Sequence, residues 1–439
     1  MKRTAIAAAV MLAAMPLAAG SIAVSHRAAL STPSPAATQI GLSVLKRGGN
    51  ASDAAIAVAF ALTVADSDNL AGGGFLVFYE AATQSVWALD FHAPGYVAGL
   101  AAMQKRFSKL AWKSVVAPAI TLASGKKELA AMLQRIADKG ARDFYDGELS
   151  PRVVEQFKAA GGNTSLRELR EYKPAWRAPI KVSFHEFDIY SLPPPSAAGL
   201  MIGEQLGILA GFDLKTLDAP RRIHLIAEAA RRSAVDRDRF VADADEPRTY
   251  RDFVSAERAN HWRESINPLR ATPTATLGVT AQSTLPANPQ ETQFSVVDAA
   301  GDIAVVTLTL DGVTGADKRL FTSAAPVIVM RHGVPWLALG SSGGTGAPNF
   351  VLQTFLSVAV YGRSLADAVA APRFDQQAIP DDISYENSTA SPETVAKLRE
   401  MGHGMRETVS LGDMHALMIE ADRITAVADP RHGGAAGGY

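Results

Sequence analysis

The chain has 439 residues, 48 % of them apolar and 20 % charged, and a formal net charge of −1. That composition is globular rather than disordered, and it creates no overall field to draw nucleic acid or an anionic membrane surface. There is no cysteine, which excludes disulfides, thiolate nucleophiles and cysteine-ligated metal sites.

In chain order, Lys2 and Arg3 precede an apolar run from Ala5 to Leu17 and then the small residues Ala18-Ala19-Gly20-Ser21. This is the order of a secretory signal peptide, and the run falls short of the roughly 20 residues that span a bilayer. Residues 1–23 are therefore expected to be a leader, cleaved between Ala19 and Ala23, that sends the protein to the periplasm or out of the cell. Residues 24–35, with Ser, Thr and prolines, read as an unstructured lead-in. A helix from about Ala36 to Arg47 stops at Gly48-Gly49. Asn50 caps a second, over about Ala51 to Val64. It is apolar on nearly every face, so it should be buried on all sides. Gly72-Gly73-Gly74 leads into a hairpin of Phe75–Glu80 and Val86–Phe91. These glycines lack the lysine and Ser/Thr of a phosphate-binding loop and read as a tight turn at a packed strand.

A mixed helical stretch runs to about Ala159, residues 180–192 read as strand, and a long helix covers His224–Phe240. Arg231-Arg232, interleaved with Glu228, Asp236 and Asp238, reads as a solvated face of that helix. His224 and Glu228 stand one turn apart and could ligate a metal, although such a pair is usually only a polar face. The C-terminal third is richer in strand. Phe294–Asp298 and Ile303–Leu310 form one hairpin, and Val327–Met330 and Trp336–Leu339 another. A glycine-rich loop, Gly340–Gly346, opens helix Asn349–Gly362. A short helix Ser364–Ala371 comes after it, and Ser391-Pro392 starts another. Antiparallel hairpins among apolar helices imply stacked antiparallel sheets covered by helices, not a doubly wound parallel sheet.

A series of segments then stands out by order and spacing: Lys46-Arg47-Gly48-Gly49-Asn50-Ala51-Ser52-Asp53-Ala54-Ala55, Asn69-Leu70-Ala71-Gly72-Gly73-Gly74-Phe75, Leu89-Asp90-Phe91, Pro193-Pro194-Pro195-Ser196, Thr292-Gln293-Phe294-Ser295-Val296-Val297-Asp298, Gly340-Ser341-Ser342-Gly343-Gly344, Ala371-Pro372-Arg373-Phe374 and Asp429-Pro430-Arg431. Together they resemble the γ-glutamyltranspeptidases over most of the chain past the leader. The resemblance implies a four-layer α/β/β/α fold of the N-terminal-nucleophile hydrolase type. It also implies a chain that cuts itself to expose a threonine, whose hydroxyl attacks a γ-glutamyl amide while its own α-amine acts as base. A free α-amine, with a pKa of about 7.7–8.0, is a usable base at neutral pH. The implied oxyanion donors are the backbone N–H groups of Gly343 and Gly344. Thr309 would hydrogen-bond the nucleophile. Asp311 falls where a substrate-binding asparagine is usual, and Thr322 and Ser323 match a pair that holds the substrate carboxylate. No cofactor or metal is implied.

The departures bear on activity. Counting back from Phe294 puts Glu291 at the nucleophile position, and a carboxylate cannot carry out the acyl shift that cuts the chain. Thr292 is adjacent, but neighbouring strand residues face opposite ways, so using it requires a one-residue slip that is costly where one face is buried. His92 stands where an arginine should bind the substrate carboxylate. The lid between Asp311 and Lys318 reads as deleted, and the region near Ser124–Lys127 as shortened. The sequence thus predicts an uncut relative, residues 24–290 and 291–439 forming one folded unit, that binds a small amide or peptide, γ-glutamyl type included. The alternative is an active amidohydrolase or acyltransferase using Thr292. A serine hydrolase is a further alternative, with Ser342 in a Gly-x-Ser-x-Gly turn and Asp381 or Asp413 with His415 as partners.

Overall fold

The computed structural model describes residues 21–159, 162–242, 249–279, 291–310, 322–387 and 389–439. Helix Ala51–Leu62 sets the pattern of the fold. The Asn50 side chain accepts the Asp53 N–H and the Asp53 carboxylate accepts the Asn50 N–H, a reciprocal cap that fixes where the helix starts. Every residue of the helix is buried, as its lack of a polar stripe requires.

One sheet runs in the order Ala435–Gly438, Ala29–Thr32, Glu291–Val297, Ile303–Thr309, Gly73–Glu80, Ser85–Phe91, Ala175–Arg177, all antiparallel. A second runs Ile22–Ser25, Ile424–Ala428, Asp413–Ile419, Val334–Leu339, Val327–Arg331, Phe187–Ser191, Ile180–Phe184. A small third sheet joins Phe374–Gln376, Asp382–Glu386 and Gly404–Thr408.

Strand alternation sorts the side chains into three cores. Leu76, Phe78, Phe294 and Val296 point to helix Ala51–Leu62 and its neighbours. Phe75, Val77 and Val305 meet Ile328, Ala338 and Leu417 of the second sheet. Val327, Val329, Leu337 and Leu339 face Ile202, Leu206 and Phe350 on the far helices. Three interfaces between four layers make the α/β/β/α sandwich expected from the motifs.

Three local expectations fail. Residues 24–35 are not a loose lead-in: Ala29–Thr32 is a fully buried strand between Ala435–Gly438 and Glu291–Val297, and Ile22–Ser25 pairs with Ile424–Ala428. Residues 180–192 are a hairpin of Ile180–Phe184 and Phe187–Ser191, turned at His185, which has φ of 52°. Arg231 and Arg232 are not solvated but buried, both bridged to Glu228 within helix Ala219–Ala242. Helix Ala198–Leu209, which gave no amphipathic signal, is nearly all buried. Residues 1–20 of the expected leader lie outside the described residues, while Ile22 and Ala23 belong to a strand. Among the described residues no helix is long and apolar enough to cross a membrane.

Candidate functional site

Glu291 opens its strand, and the residues after it set which way it faces. Gln293 and Ser295, two and four residues on, reach across to the second sheet: the Gln293 Oε1 accepts the His415 N–H (3.0 Å), and the Ser295 hydroxyl donates to the His415 carbonyl (2.8 Å). Glu291 shares that face, and its Oε2 accepts the Gly344 N–H at 3.4 Å. Thr292 shares the opposite face with Phe294 and Val296, which pack into the helical core. Thr309 is paired directly with Glu291 and with Gly73, so it lies beside Glu291 on the same face.

Gly343 and Gly344 carry φ of 125° and 58°, values that a side chain resists. A Cβ on Gly343 would also sit 2.7 Å from the Phe350 ring. Glycine is required here for the backbone to present its N–H groups at the end of helix Ala347–Ala359. Gly72 has a different reason. A Cβ there would lie 2.0 Å from the Thr309 carbonyl oxygen, so the glycine run is a close backbone approach beside the site, as its lack of phosphate-loop residues implied.

Of the substrate-binding candidates, Asp311 lies outside the described residues. The Thr322 backbone is tied to the Pro195 and Ala197 backbone on either side of Ser196. Ser323 is buried, and among the described residues its hydroxyl has no hydrogen-bond partner. His92 is 42 % exposed and bonded through Nδ1 to Asp90 Oδ1 at 2.6 Å. Arg177 holds the other Asp90 oxygen at 2.8 Å. Burial pushes the Asp90 carboxyl up, but His92 and Arg177 outweigh it and hold it below the usual range. His92 is therefore already spent on Asp90 through one nitrogen.

The serine triad does not assemble. His415 Nε2 does reach Asp413 Oδ2 (3.3 Å), but its Nδ1 meets the Ser31 hydroxyl (3.0 Å), and the ring is wholly buried. Asp381 is taken by Arg231 and by the Thr274 N–H. His224 and Glu228 gain a third neighbour, His403. That cluster suits a cation poorly, because two guanidiniums already bind Glu228 and the two imidazoles bond each other at 2.7 Å.

The gamma-glutamyltranspeptidase family profile matches residues 37–93, 124–317 and 312–439. The chain belongs to the gamma-glutamyltranspeptidase family. It is 26 % identical to the glutathione hydrolase proenzyme of Escherichia coli, over 90 % of this chain and 89 % of that protein. It is 25 % identical to the acylase ACY 1 proenzyme of a Pseudomonas strain, over 91 % of each. Among solved structures, a cephalosporin acylase from Bacillus halodurans superposes with a TM-score of 0.83 over 99 % of both chains at 19 % identity, a likeness of fold. Gamma-glutamyltranspeptidase from Helicobacter pylori, 28 % identical, covers 55 % of this chain with a TM-score of 0.51. The alignment to the Escherichia coli protein runs to 517 positions, gaps included, against 439 residues here, so that relative carries segments this gamma-glutamyltranspeptidase-family chain lacks.

Two positioning groups of this family member escaped the sequence reading. Asp53 stood out only as part of a motif, yet the Asn50-x-x-Asp53 spacing is a capping signal, and its carboxylate also collects the N–H groups of Lys109 and Leu110. Arg177 had no such signal, because its partner Asp90 lies 87 residues away.

Proposed function

We propose that this chain works as one uncut polypeptide whose transpeptidase-type pocket binds a small amide or peptide, γ-glutamyl or other, without forming an acyl-enzyme. The reading is carried by the Glu291 carboxylate at the Gly344 amide, on the face where the family nucleophile is expected. Self-cutting needs a hydroxyl to take over the acyl group from the preceding peptide nitrogen, and Glu291 has none. Thr292 has one but shares the face of Phe294 and Val296. An anion at the Gly344 donor also works against a developing oxyanion there. It favours instead a ligand that brings an N–H or ammonium group to the carboxylate. The unpartnered Ser323 hydroxyl offers such a ligand a second contact. Export to the periplasm or medium, with residues 1–23 as signal peptide, is part of the same proposal and rests on the charged, apolar, small-residue order of the N-terminus.

A second reading is an amidohydrolase using Thr292, favoured by the acylase relatives that align along nearly the whole chain. A denaturing gel separates the two. The uncut reading expects one band from purified mature protein and no release of chromophore from a γ-glutamyl anilide. Two fragments parting near residue 291, with Thr292 leading the second, or turnover of the anilide by the unaltered protein, would remove it.

A further inference from the structure

A second cavity, of about 150 Å³, opens between helix Ala219–Ala242, helix Ala347–Ala359 and helix Leu365–Ala370, and neither Glu291, Thr309, Gly343, Gly344 nor Ser323 lines it. Ile223, Ile226, Ala368 and Phe374 supply apolar wall. The charged lining is of one sign: Arg222, Arg363 and Arg373 face it, and among the described residues no Asp or Glu does.

These donors are not all used within the protein. Arg373 spends its terminal nitrogens on Asp429 and on the Val369 and Leu411 carbonyls, but its buried Nε has no partner among the described residues. The Tyr361 hydroxyl is likewise buried and has no acceptor among the described residues. Burial pushes that phenol up to about 12, against the pull of Arg222, which also approaches the hydroxyl as a donor, and of Arg363, so it keeps its proton and has it to donate. Arg222 lies over the Tyr361 ring, 4.6 Å from its centre. Among the described residues neither Arg222 nor Arg363 has a carboxylate partner. Buried donors that lack an acceptor are uncommon in folded proteins. A cluster of them beside guanidiniums that have no carboxylate partner among the described residues, and beside an apolar wall, is the arrangement of a site for an anion with an apolar body.

We propose that this cavity binds a small aromatic carboxylate, with its carboxylate between Arg222 and Arg363, accepting from Tyr361, and its ring against Ile226 and Phe374. The volume is that of a cavity that takes one benzene ring, which limits the ligand to a single ring. Guanidinium groups suit a carboxylate by their planar paired donors.

The test is calorimetric titration of the full-length mature protein with benzoate, beside benzamide as neutral isostere and 1-naphthoate as an oversized acid. One benzoate per chain is expected, bound at least tenfold more tightly than benzamide or naphthoate. Arg222→Gln and Arg363→Gln are each expected to weaken benzoate at least tenfold without shifting the melting temperature. Arg363 is exposed, so its variant serves even if Arg222→Gln does not fold. No saturable benzoate binding overturns the proposal. Equal affinity for benzoate and benzamide, or benzoate binding unchanged by Arg363→Gln, overturns it too, because the ligand would then sit elsewhere.

Discussion

The buried histidine pair gives this protein a measurable acid sensitivity. His224 donates from Nε2 to the Asn267 carbonyl (2.8 Å), which leaves its Nδ1 to accept the Nε2–H of His403 (2.7 Å). That chain of bonds requires a neutral His224, whose Nδ1 must accept, and keeps the His403 proton on Nε2. A proton added to His403 Nδ1 would enter a buried position with no partner. Burial is the main reason that His403 falls from 6.5 to about 3, with His224 and Arg231 adding to it and Glu228 opposing it. His224 is lowered as well, again chiefly by burial. Proton counting gives the sign. Between pH 6.5 and about 3 the unfolded chain carries a proton on His403 that the folded chain refuses, so stability is whole above 6.5 and drains as pH falls. The slope approaches about 1.4 kcal/mol per pH unit, and moving from pH 7.5 to 5 costs about 2 kcal/mol for His403 alone. Urea unfolding at both pH values, for the unaltered protein and for His403→Gln, isolates this share. Glutamine does not titrate and can still donate to His224. The unaltered protein is expected to lose about 2 kcal/mol more than the variant. Equal losses, within about 0.5 kcal/mol, would refute the reasoning.

Four other substitutions probe the frame of the site. Asp53→Ala strands the N–H groups of Asn50, Lys109 and Leu110. A loss of at least about 3 kcal/mol is expected in urea unfolding, and a loss under about 1 kcal/mol would show that water replaces the carboxylate. Gly72→Ala places a Cβ against the Thr309 carbonyl, so it should cost about 1–3 kcal/mol. Gly48→Ala meets no atom within 4 Å and is strained only by its positive φ, at about 1–2 kcal/mol. A Gly48 effect much larger than the Gly72 effect would reverse the argument. Arg431→Met removes a partner of the buried Glu386 and Asp429. It should lower stability by about 3–5 kcal/mol, and wild-type stability in thermal and urea melts would contradict that.

Much of the site's frame could be read from local pattern. Asn50 and the unbroken apolar run after it placed a buried helix, and the runs Val327–Met330 and Trp336–Leu339 placed a hairpin, which turns at His332 and Gly333 with φ of 51° and 79°. The alternation of Glu291, Gln293 and Ser295 against Thr292, Phe294 and Val296 sorted the strand's faces from sequence alone. What escaped was set by partners far along the chain. Ala29–Thr32 carries no strand signal of its own and exists because Glu291–Val297 and Ala435–Gly438 lie on either side of it. The charges of helix Ala219–Ala242 looked solvated because their distant partners were invisible: Arg231 finds Asp381, 150 residues on, and Arg232 finds Ser265.

The sequence by itself determined the family, the sandwich of sheets and helices, and that an acid, Glu291, precedes the Thr292–Val297 run. These rest on periodicity, turn chemistry and motif order, which are properties of neighbouring residues. Only the tertiary structure decided where that acid's carboxylate rests, that His415 turns to Ser31 rather than Ser342, and that unpaired donors gather around a second cavity. Those outcomes depend on which distant groups compete for the same hydrogen bonds once water is excluded, and no local pattern encodes that competition.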